Sequence, residues 1–151
     1  MNINIRQKGQ TGEREIASML NFIVYSVMKE MDFPEEECLK GMQRIQRNQL
    51  QTAIGGNDLT DCFGFSIEVK RQEQLAVATW WNQCVAAAER NNETPVLIYR
   101  QNRKAWRVRA VGMVGEVSGV VEFDIEMFKE IFKQRVMLWL RRSILKGEYY
   151  I

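Results

Sequence analysis

The sequence predicts an α/β protein in which a mixed central β-sheet is flanked by helices. Periodic segments follow one another in the order helix, strands, helix, strands, which is typical of such a sandwich. The apolar residues Phe65, Ile67 and Val69 alternate with polar ones, which indicates a strand with two unlike faces. The chain has 151 residues, of which 46% are hydrophobic. That is enough core for one domain, which we expect to span residues 1–151.

The first element is a long amphipathic helix, predicted over residues 13–31. At about 100° per residue, its apolar stripe is formed by Ile16, Leu20, Ile23 and Val27. Glu13 lies about 40° from the centre of this stripe, whereas Glu15 falls well to its side. A carboxylate beside a buried face is costly unless it has a partner such as a cation. Two plainer alternatives stay open: the first-turn dipole favours both acids, and Thr11 or Gly12 could be the cap.

A second helix is predicted over residues 32–47. Asp32 is a favourable cap, Pro34 suits the first helical position, and three glutamates, Glu35, Glu36 and Glu37, fall in the first turn. A strand is then expected over residues 49–54. It is followed by a turn at Gly55 and Gly56.

The next strand, predicted over residues 63–71, carries the most informative pattern in the chain. Because alternation turns Phe65, Ile67 and Val69 to one face, Ser66, Glu68 and Lys70 share the other. Glu68 and Lys70 are then about 6.6 Å apart along the strand.

Two further acids, Asp58 and Asp61, lie just upstream in a glycine-rich turn. Two carboxylates that can hold a divalent cation, with a lysine that can orient water or offset phosphate charge, suffice for metal-dependent phosphodiester hydrolysis. The plainer alternative is that Glu-x-Lys marks a solvated strand face.

The second half of the chain alternates between helix and strand. An alanine-rich helix is predicted over residues 75–91, with Trp80 and Trp81 serving as packing residues. Residues 94–99 and 105–111 are predicted to form a hairpin around 101–104. Asp124 is expected to cap a last helix that runs to about Leu145. Its apolar residues are Phe128, Ile131, Phe132 and Leu138.

The hairpin region is unusually basic. It contains no acid between residues 100 and 109, and its five cations are Arg100, Arg103, Lys104, Arg107 and Arg109. Since Trp106, Val108 and Ala110 alternate with Arg107 and Arg109, one strand face is apolar and the other basic. Clustered guanidinium groups favour a surface that follows DNA phosphates. A charged edge strand that prevents aggregation is the comparable alternative.

Composition excludes several kinds of chemistry. The chain has no histidine, so histidine general bases, Ser-His and Cys-His nucleophilic sites and imidazole-bound zinc are excluded. Carboxylates, lysine and an oxygen-preferring metal remain, which points to Mg²⁺ or Mn²⁺. A net charge of +2 is too small to indicate nucleic acid by itself.

The three cysteines and the absence of targeting signals indicate a compartment. Cys38, Cys62 and Cys84 are odd in number and spaced neither as a zinc site nor as a disulfide framework, so we expect buried or neutral thiols in a reducing environment. No run of 18 apolar residues occurs and the first residues do not read as a signal peptide. We therefore expect a cytoplasmic protein without a membrane partner.

Four separate motifs, in order along the chain, resemble one known group of enzymes. These motifs are KGQTGERE, GGNDL, IEVK and a helix that leads into PVLIYR. Together they resemble the PD-(D/E)XK nuclease superfamily, and most closely the archaeal-type Holliday junction resolvases. The resemblance covers residues 8–110 and implies a restriction-endonuclease-like sandwich.

The resemblance also implies the site residues. Its catalytic positions fall on Glu13, Asp58, Glu68 and Lys70, and the three acids would hold Mg²⁺ or Mn²⁺. The sequence departs from the pattern in three places. Asn57 replaces the motif's proline, Asp61 offers a rival acid, and the helix predicted over 32–47 is additional.

The implied substrate is DNA, and most specifically the four-way junction. A junction presents two symmetry-related strands, so we expect a homodimer with two equivalent sites. Phe128, Phe132 and Trp139 on the last helix could supply the contact, although packing onto their own domain would explain them equally. Two other functions stay open: a restriction- or recombination-type nuclease on duplex DNA or ends, and a non-catalytic DNA-binding module.

Overall fold

The computed structural model describes residues 5–49 and 57–147 and confirms the α/β class. Within these ranges, helices α1 to α4 span Ile5–Glu30, Glu35–Gly41, Val77–Asn91 and Ile125–Leu145. Strands β1 to β6 span Gln46–Arg47, Leu59–Thr60, Phe65–Gln72, Thr94–Gln101, Arg107–Val114 and Val117–Asp124.

The larger sheet is mixed, as the sequence predicts. Its strand order is β3-β4-β5-β6; β3 and β4 are parallel, and the other neighbours are antiparallel. β1 and β2 form a separate antiparallel ribbon. The parallel pair is possible because α3 crosses between β3 and β4. β3 is therefore an edge strand of the larger sheet.

Helices cover both faces of this sheet. On one face, α1 and α4 pack on the sheet through side chains that include Leu20, Ile67 and Phe132. On the other, Trp80 and Trp81 of α3 pack on Leu97 and Tyr99, which confirms that the tryptophans are packing residues. The three cysteines are free and buried in these layers, as predicted. Among the described helices, none is both long and apolar enough to cross a membrane.

Helix α1 begins earlier than predicted, at Ile5 instead of residue 13. Gly12 therefore lies inside the helix and is not its cap. A Cβ atom at this position would lie 3.2 Å from Cη2 of Trp106 and 3.6 Å from Cγ1 of Val69. The glycine lets α1 approach the sheet closely, and this packing outweighs the low helix propensity of glycine.

The second helix is shorter than predicted and ends at Gly41. Asp32 is not its cap: this residue has a φ of 60°, and Pro34 occupies the cap position without a side-chain bond. The prediction of helix up to residue 47 is wrong because the buried Asn21 side chain pairs with the backbone of Ile45. Its Oδ1 accepts from the Ile45 N–H at 2.8 Å, and its Nδ2 donates to the Ile45 carbonyl at 2.9 Å. These bonds hold the chain extended before β1.

The strand predicted over 49–54 and the turn at Gly55 and Gly56 lie, apart from Gln49, outside the described residues. Gln49 is in a turn. The motif strand begins at Phe65, two residues after the predicted start at 63. Phe63 and Gly64 have φ angles of 56° and 88°, which no strand can accommodate.

The end of the chain contains one strand that the sequence analysis missed. β5 extends to Val114, and β6 returns alongside it after a turn at Gly115, which has a φ of 62°. Asp124 then caps α4 as predicted, because its Oδ1 accepts from the Met127 N–H at 2.8 Å. The buried residues of α4 are Phe128, Phe132, Val136 and Leu140. This face covers the protein's own core, whereas Ile131 and Leu138 are exposed.

Candidate active site

Asp58 is fixed at the open edge of β3. Its backbone N–H donates to the Ile67 carbonyl at 3.0 Å, and its Oδ2 accepts from the Val69 N–H at 2.7 Å. These two bonds join Asp58 to the backbone of β3 and hold its carboxylate beside Glu68. Only 8% of each acid is exposed. Residues 10 positions apart in sequence thus become a buried pair.

The pleat of β3 divides its side chains as predicted. Phe65, Ile67 and Val69 join the core formed with α1 and α4. On the other face Ser66 is fully buried and Glu68 nearly so, while Lys70 is half-buried. A solvated strand face would leave these side chains in water, so the burial argues against the plainer explanation of Glu-x-Lys.

The two buried carboxyls repel one another and share a hydrogen bond. Burial raises the pKa of Asp58 to about 6, although the bond from the Val69 N–H opposes the shift. Burial, followed by the charge and hydrogen bond of Asp58, raises the pKa of Glu68 to about 8. Lys70 lowers both pKa values and Glu13 raises both. The structure therefore brings all four predicted residues within electrostatic reach of one another.

Glu13 enters this site from α1 and is held by an arginine that the sequence analysis missed. Arg47 Nε lies 2.7 Å from Glu13 Oε2, and the two side chains are 20% and 8% exposed. The sequence did not indicate a role for Arg47, because the helix predicted over residues 32–47 ends at this residue. In the structure Arg47 lies in β1, opposite Leu59, which directly follows Asp58 in sequence.

The three acids do not form one cluster: Asp58 and Glu68 are paired, and Glu13 lies beside them. Among residues 5–49 and 57–147, no group of three or more Asp, Glu, Cys or His side chains is arranged to hold a metal ion. Asp58 and Glu68 hydrogen-bond with each other, and Glu13 is ion-paired with Arg47. The roles of these residues as metal ligands stay a prediction.

The rival acid, Asp61, and Asn57, which replaces the motif's proline, flank β2. Asp61 is exposed with a φ of 57°, and burial, followed by the charge of Asp61, raises the pKa of Glu93. Asn57 stands where the motif has proline. Its Nδ2 donates to Glu93 Oε1 at 3.3 Å, and its carbonyl accepts from Asn48 at 3.1 Å. Side-chain bonds thus hold the chain at Asn57.

The predicted basic surface is partly neutralised by acids from other elements. Arg109 pairs with Glu122 of β6 at 2.9 Å, and Arg100 lies 4.0 Å from Glu15 of α1. Burial opposes the shift, but hydrogen bonds from Tyr99 and Arg109 and then the charges of Arg109 and Arg107 lower the pKa of Glu122. Arg103 and Lys104 are exposed in the turn between β4 and β5. The role of the five cations in DNA binding stays a prediction.

The raised pKa values predict how the stability of the metal-free protein depends on pH. Because the pKa of Glu68 rises from 4.5 to about 8 and that of Asp58 from 3.8 to about 6, the native state binds more protons than the unfolded state between these limits. Stability is therefore highest below the unfolded pKa values and falls as pH rises through the native ones. We expect a loss of several kcal/mol between about pH 4.5 and about pH 8.5.

Urea unfolding of the metal-free protein across this range measures the loss. Glu68→Gln should flatten the profile and make the protein more stable than wild type at about pH 8.5. Glu126→Gln, at an exposed acid in the first turn of α4, is the control and should keep the wild-type profile. A profile that rises with pH in wild type would contradict the buried pair.

A family model described as "Phage putative PDDEXK endonuclease" matches residues 4–136. The search of curated proteins found no match. Among solved structures, the chain resembles Archaeoglobus fulgidus Hjc, a Holliday junction resolvase from an archaeal hyperthermophile, at 16% identity and a TM-score of 0.48. The match covers 82% of this chain and 96% of that one.

Proposed function

Because the chain belongs to the phage PDDEXK endonuclease family, we propose that it is a metal-dependent DNA endonuclease that acts preferentially on four-way junctions. The observation that carries the proposal is the buried pair of carboxyls, Asp58 and Glu68, beside Glu13 and Lys70. The preference for junctions rests on the resemblance of the four sequence motifs to archaeal-type resolvases.

Two buried carboxyls that repel each other do not stabilise the folded state by themselves. Each costs free energy when it ionises away from water, and an apolar pair of similar size would pack without that cost. A site that binds a cation explains the cost, because the cation replaces the missing solvation and cancels the repulsion.

The donor set fits a hard divalent ion. Asp58 and Glu68 offer carboxylate oxygens, which Mg²⁺ and Mn²⁺ prefer. The Cys84 sulfur does not compete, because burial and the charge of Glu68 raise the pKa of this thiol to about 12 and keep it neutral. When bound, the ion would supply an activated water and offset charge on the phosphate.

The protein's own groups would complete the chemistry. Lys70 lies on the strand face of Glu68 and is half-buried, so its ammonium can orient a water or offset charge that builds on the phosphate. Glu13 contributes a further carboxylate, and the ion pair with Arg47 holds it in place. The absence of histidine leaves these groups responsible for proton transfer and charge.

A homodimer belongs to the proposal, with a contact surface different from the one the sequence suggested. The buried face of α4 covers its own core. The end of the β5–β6 hairpin is instead exposed and apolar, through Met113, Val114, Val117 and Val120. Such a patch on an edge hairpin favours contact with a second copy, which would place two equivalent sites on one junction.

The test is a cleavage assay on four substrates, with and without Mg²⁺: a four-way junction, linear duplex, single strand and flap. We expect cleavage only with the metal, and fastest on the junction.

Light scattering should show a dimer, and Val117→Lys should reduce it to a monomer. Equal rates on duplex and junction by a monomer would support the general nuclease instead. No cleavage of any substrate, with DNA binding intact, would support the non-catalytic module.

A further inference from the structure

Two arginines outside the acid site lie side by side on the sheet. Arg71 of β3 and Arg100 of β4 are register partners in the parallel pair. Both belong to the face that α1 covers, since they continue the alternation of Val69 and Ile98. Like charges directly opposite on a sheet are unfavourable unless another group compensates them.

The compensation inside the protein is incomplete. In the part of the chain that the structure describes, the Nε atoms of Arg71 and Arg100 are both closed off from solvent and have no hydrogen-bond partner. The acid that faces the pair is Glu15, whose Oε2 lies 4.0 Å from the Arg100 guanidinium. One carboxylate against two guanidiniums leaves a net positive charge and unused donors. Buried donors without partners call for a bound ion or water.

One arginine of the pair is held in place by an aromatic side chain. The guanidinium of Arg100 lies 4.8 Å from the ring centroid of Trp106, and the Trp106 Nε1–H donates to Glu15 Oε1 at 3.0 Å. This arrangement fixes both the ring and the cation, so a ligand would not have to order them. Preorganised guanidiniums are well suited to phosphate because their donors match its oxygens.

The pair adjoins the acid site on two sides. Arg71 follows Lys70 directly in β3. A Cβ atom built at Gly12 would lie 3.7 Å from the Cβ of Arg71, and Gly12 directly precedes Glu13. Arg71 is therefore adjacent in sequence to Lys70 and packs beside the residue that precedes Glu13, while its side chain lies on the opposite face of β3 from those of Glu68 and Lys70. Arg71 is the last residue but one of β3, which is an edge strand. A DNA strand that passes around this end of β3 from the acids would bring a phosphate next to the scissile one to the arginines.

We propose that Arg71 and Arg100 form an anion site that binds a phosphodiester of the cleaved DNA strand next to the scissile one. The inference rests on the proposed nuclease function and adds Arg71, which sequence reasoning did not select, as a substrate-binding residue. The basic pattern of the hairpin drew attention to Arg100 and its neighbours, whereas Arg71 becomes relevant only through strand register.

The first test is DNA binding by Arg71→Gln, measured with Ca²⁺ in place of Mg²⁺ so that cleavage does not interfere. We expect the Kd for DNA to rise about 5–10-fold, and the slope of its salt dependence to fall by about 1. KM should rise while kcat stays within about twofold, since the acids are untouched. Arg141→Gln, an exposed arginine at the far end of α4, is the matched control and should bind as wild type.

A second test does not depend on nuclease activity. Sodium sulfate should raise the Tm of metal-free wild type more than that of Arg71→Gln, because a ligand that binds only the native state stabilises it. Arg71→Lys, which keeps the charge but loses the planar donors, should fall between the two. This variant also keeps the proposal testable if Arg71→Gln does not fold.

The outcomes separate the two proposals. Wild-type affinity and an unchanged sulfate response in Arg71→Gln would overturn the anion site and leave the nuclease proposal standing. A sulfate response that requires Arg71, together with DNA binding that also requires it but no cleavage by wild type, would support the anion site and overturn the nuclease. Failure of wild type to bind DNA at all would overturn both.

Discussion

Asp58→Asn and Glu68→Gln are each expected to abolish DNA cleavage while leaving DNA affinity nearly unchanged. Each change removes a negative oxygen from the buried pair that we propose holds the metal. Without the ion neither the water nor the phosphate charge is activated, so the loss should exceed the ~10–100-fold that altered support of a metal ligand costs. Phosphate contacts elsewhere persist in both variants.

Single-turnover cleavage and DNA binding, measured on the same preparations, test this expectation. Asp61→Asn is the matched control, because this acid lies on the other side of β2, is exposed and makes none of the bonds that tie Asp58 to β3. It should cleave within about twofold of wild type. Undiminished turnover in Asp58→Asn, or a loss of turnover in Asp61→Asn instead, would indicate that Asp61 and not Asp58 is the metal ligand.

The second large effect separates the two acids of α1. Glu13→Gln should lower kcat about 10–100-fold, whereas Glu15→Gln should lower it by no more than a few-fold. Glu13 is buried against Arg47 beside the acid pair, and the amide cannot replace its charge. Glu15 is 41% exposed, and a glutamine there can still accept from Trp106.

Cleavage rates of the two variants under saturating DNA and metal give the comparison, and urea unfolding shows whether either change disturbs the fold. Restoring Glu13→Gln activity with higher Mg²⁺ would indicate that this carboxylate acts through metal affinity. Equal losses in both variants, or a larger loss in Glu15→Gln, would show that the position of Glu13 beside the apolar stripe carries no function.

Local patterns in the sequence determined much of the architecture. The period-two alternation of β3 predicted which side chains enter the core, because neighbouring residues of a strand always point to opposite faces. Asp124 was recognisable as a cap from its own position before an apolar helix. The motifs that contain Glu13, Asp58, Glu68 and Lys70 selected the candidate site through their resemblance to a nuclease superfamily, and the roles of these residues stay a prediction.

Long-range contacts decided what those patterns left open. The helix predicted up to residue 47 ends early because Asn21, distant in sequence, binds the Ile45 backbone. The edge of β3 distinguishes Asp58 from Asp61, because only the former is bonded to that strand.

The partners of charged residues also came only from the tertiary structure. Arg47 meets Glu13 across 34 positions of sequence, and Arg71 meets Arg100 only through strand register. The hairpin cations looked unopposed in sequence, yet Glu15 and Glu122 face two of them from other elements. Hydrophobic period records which face of a segment is buried, but it carries no information about which distant segment supplies the opposite charge.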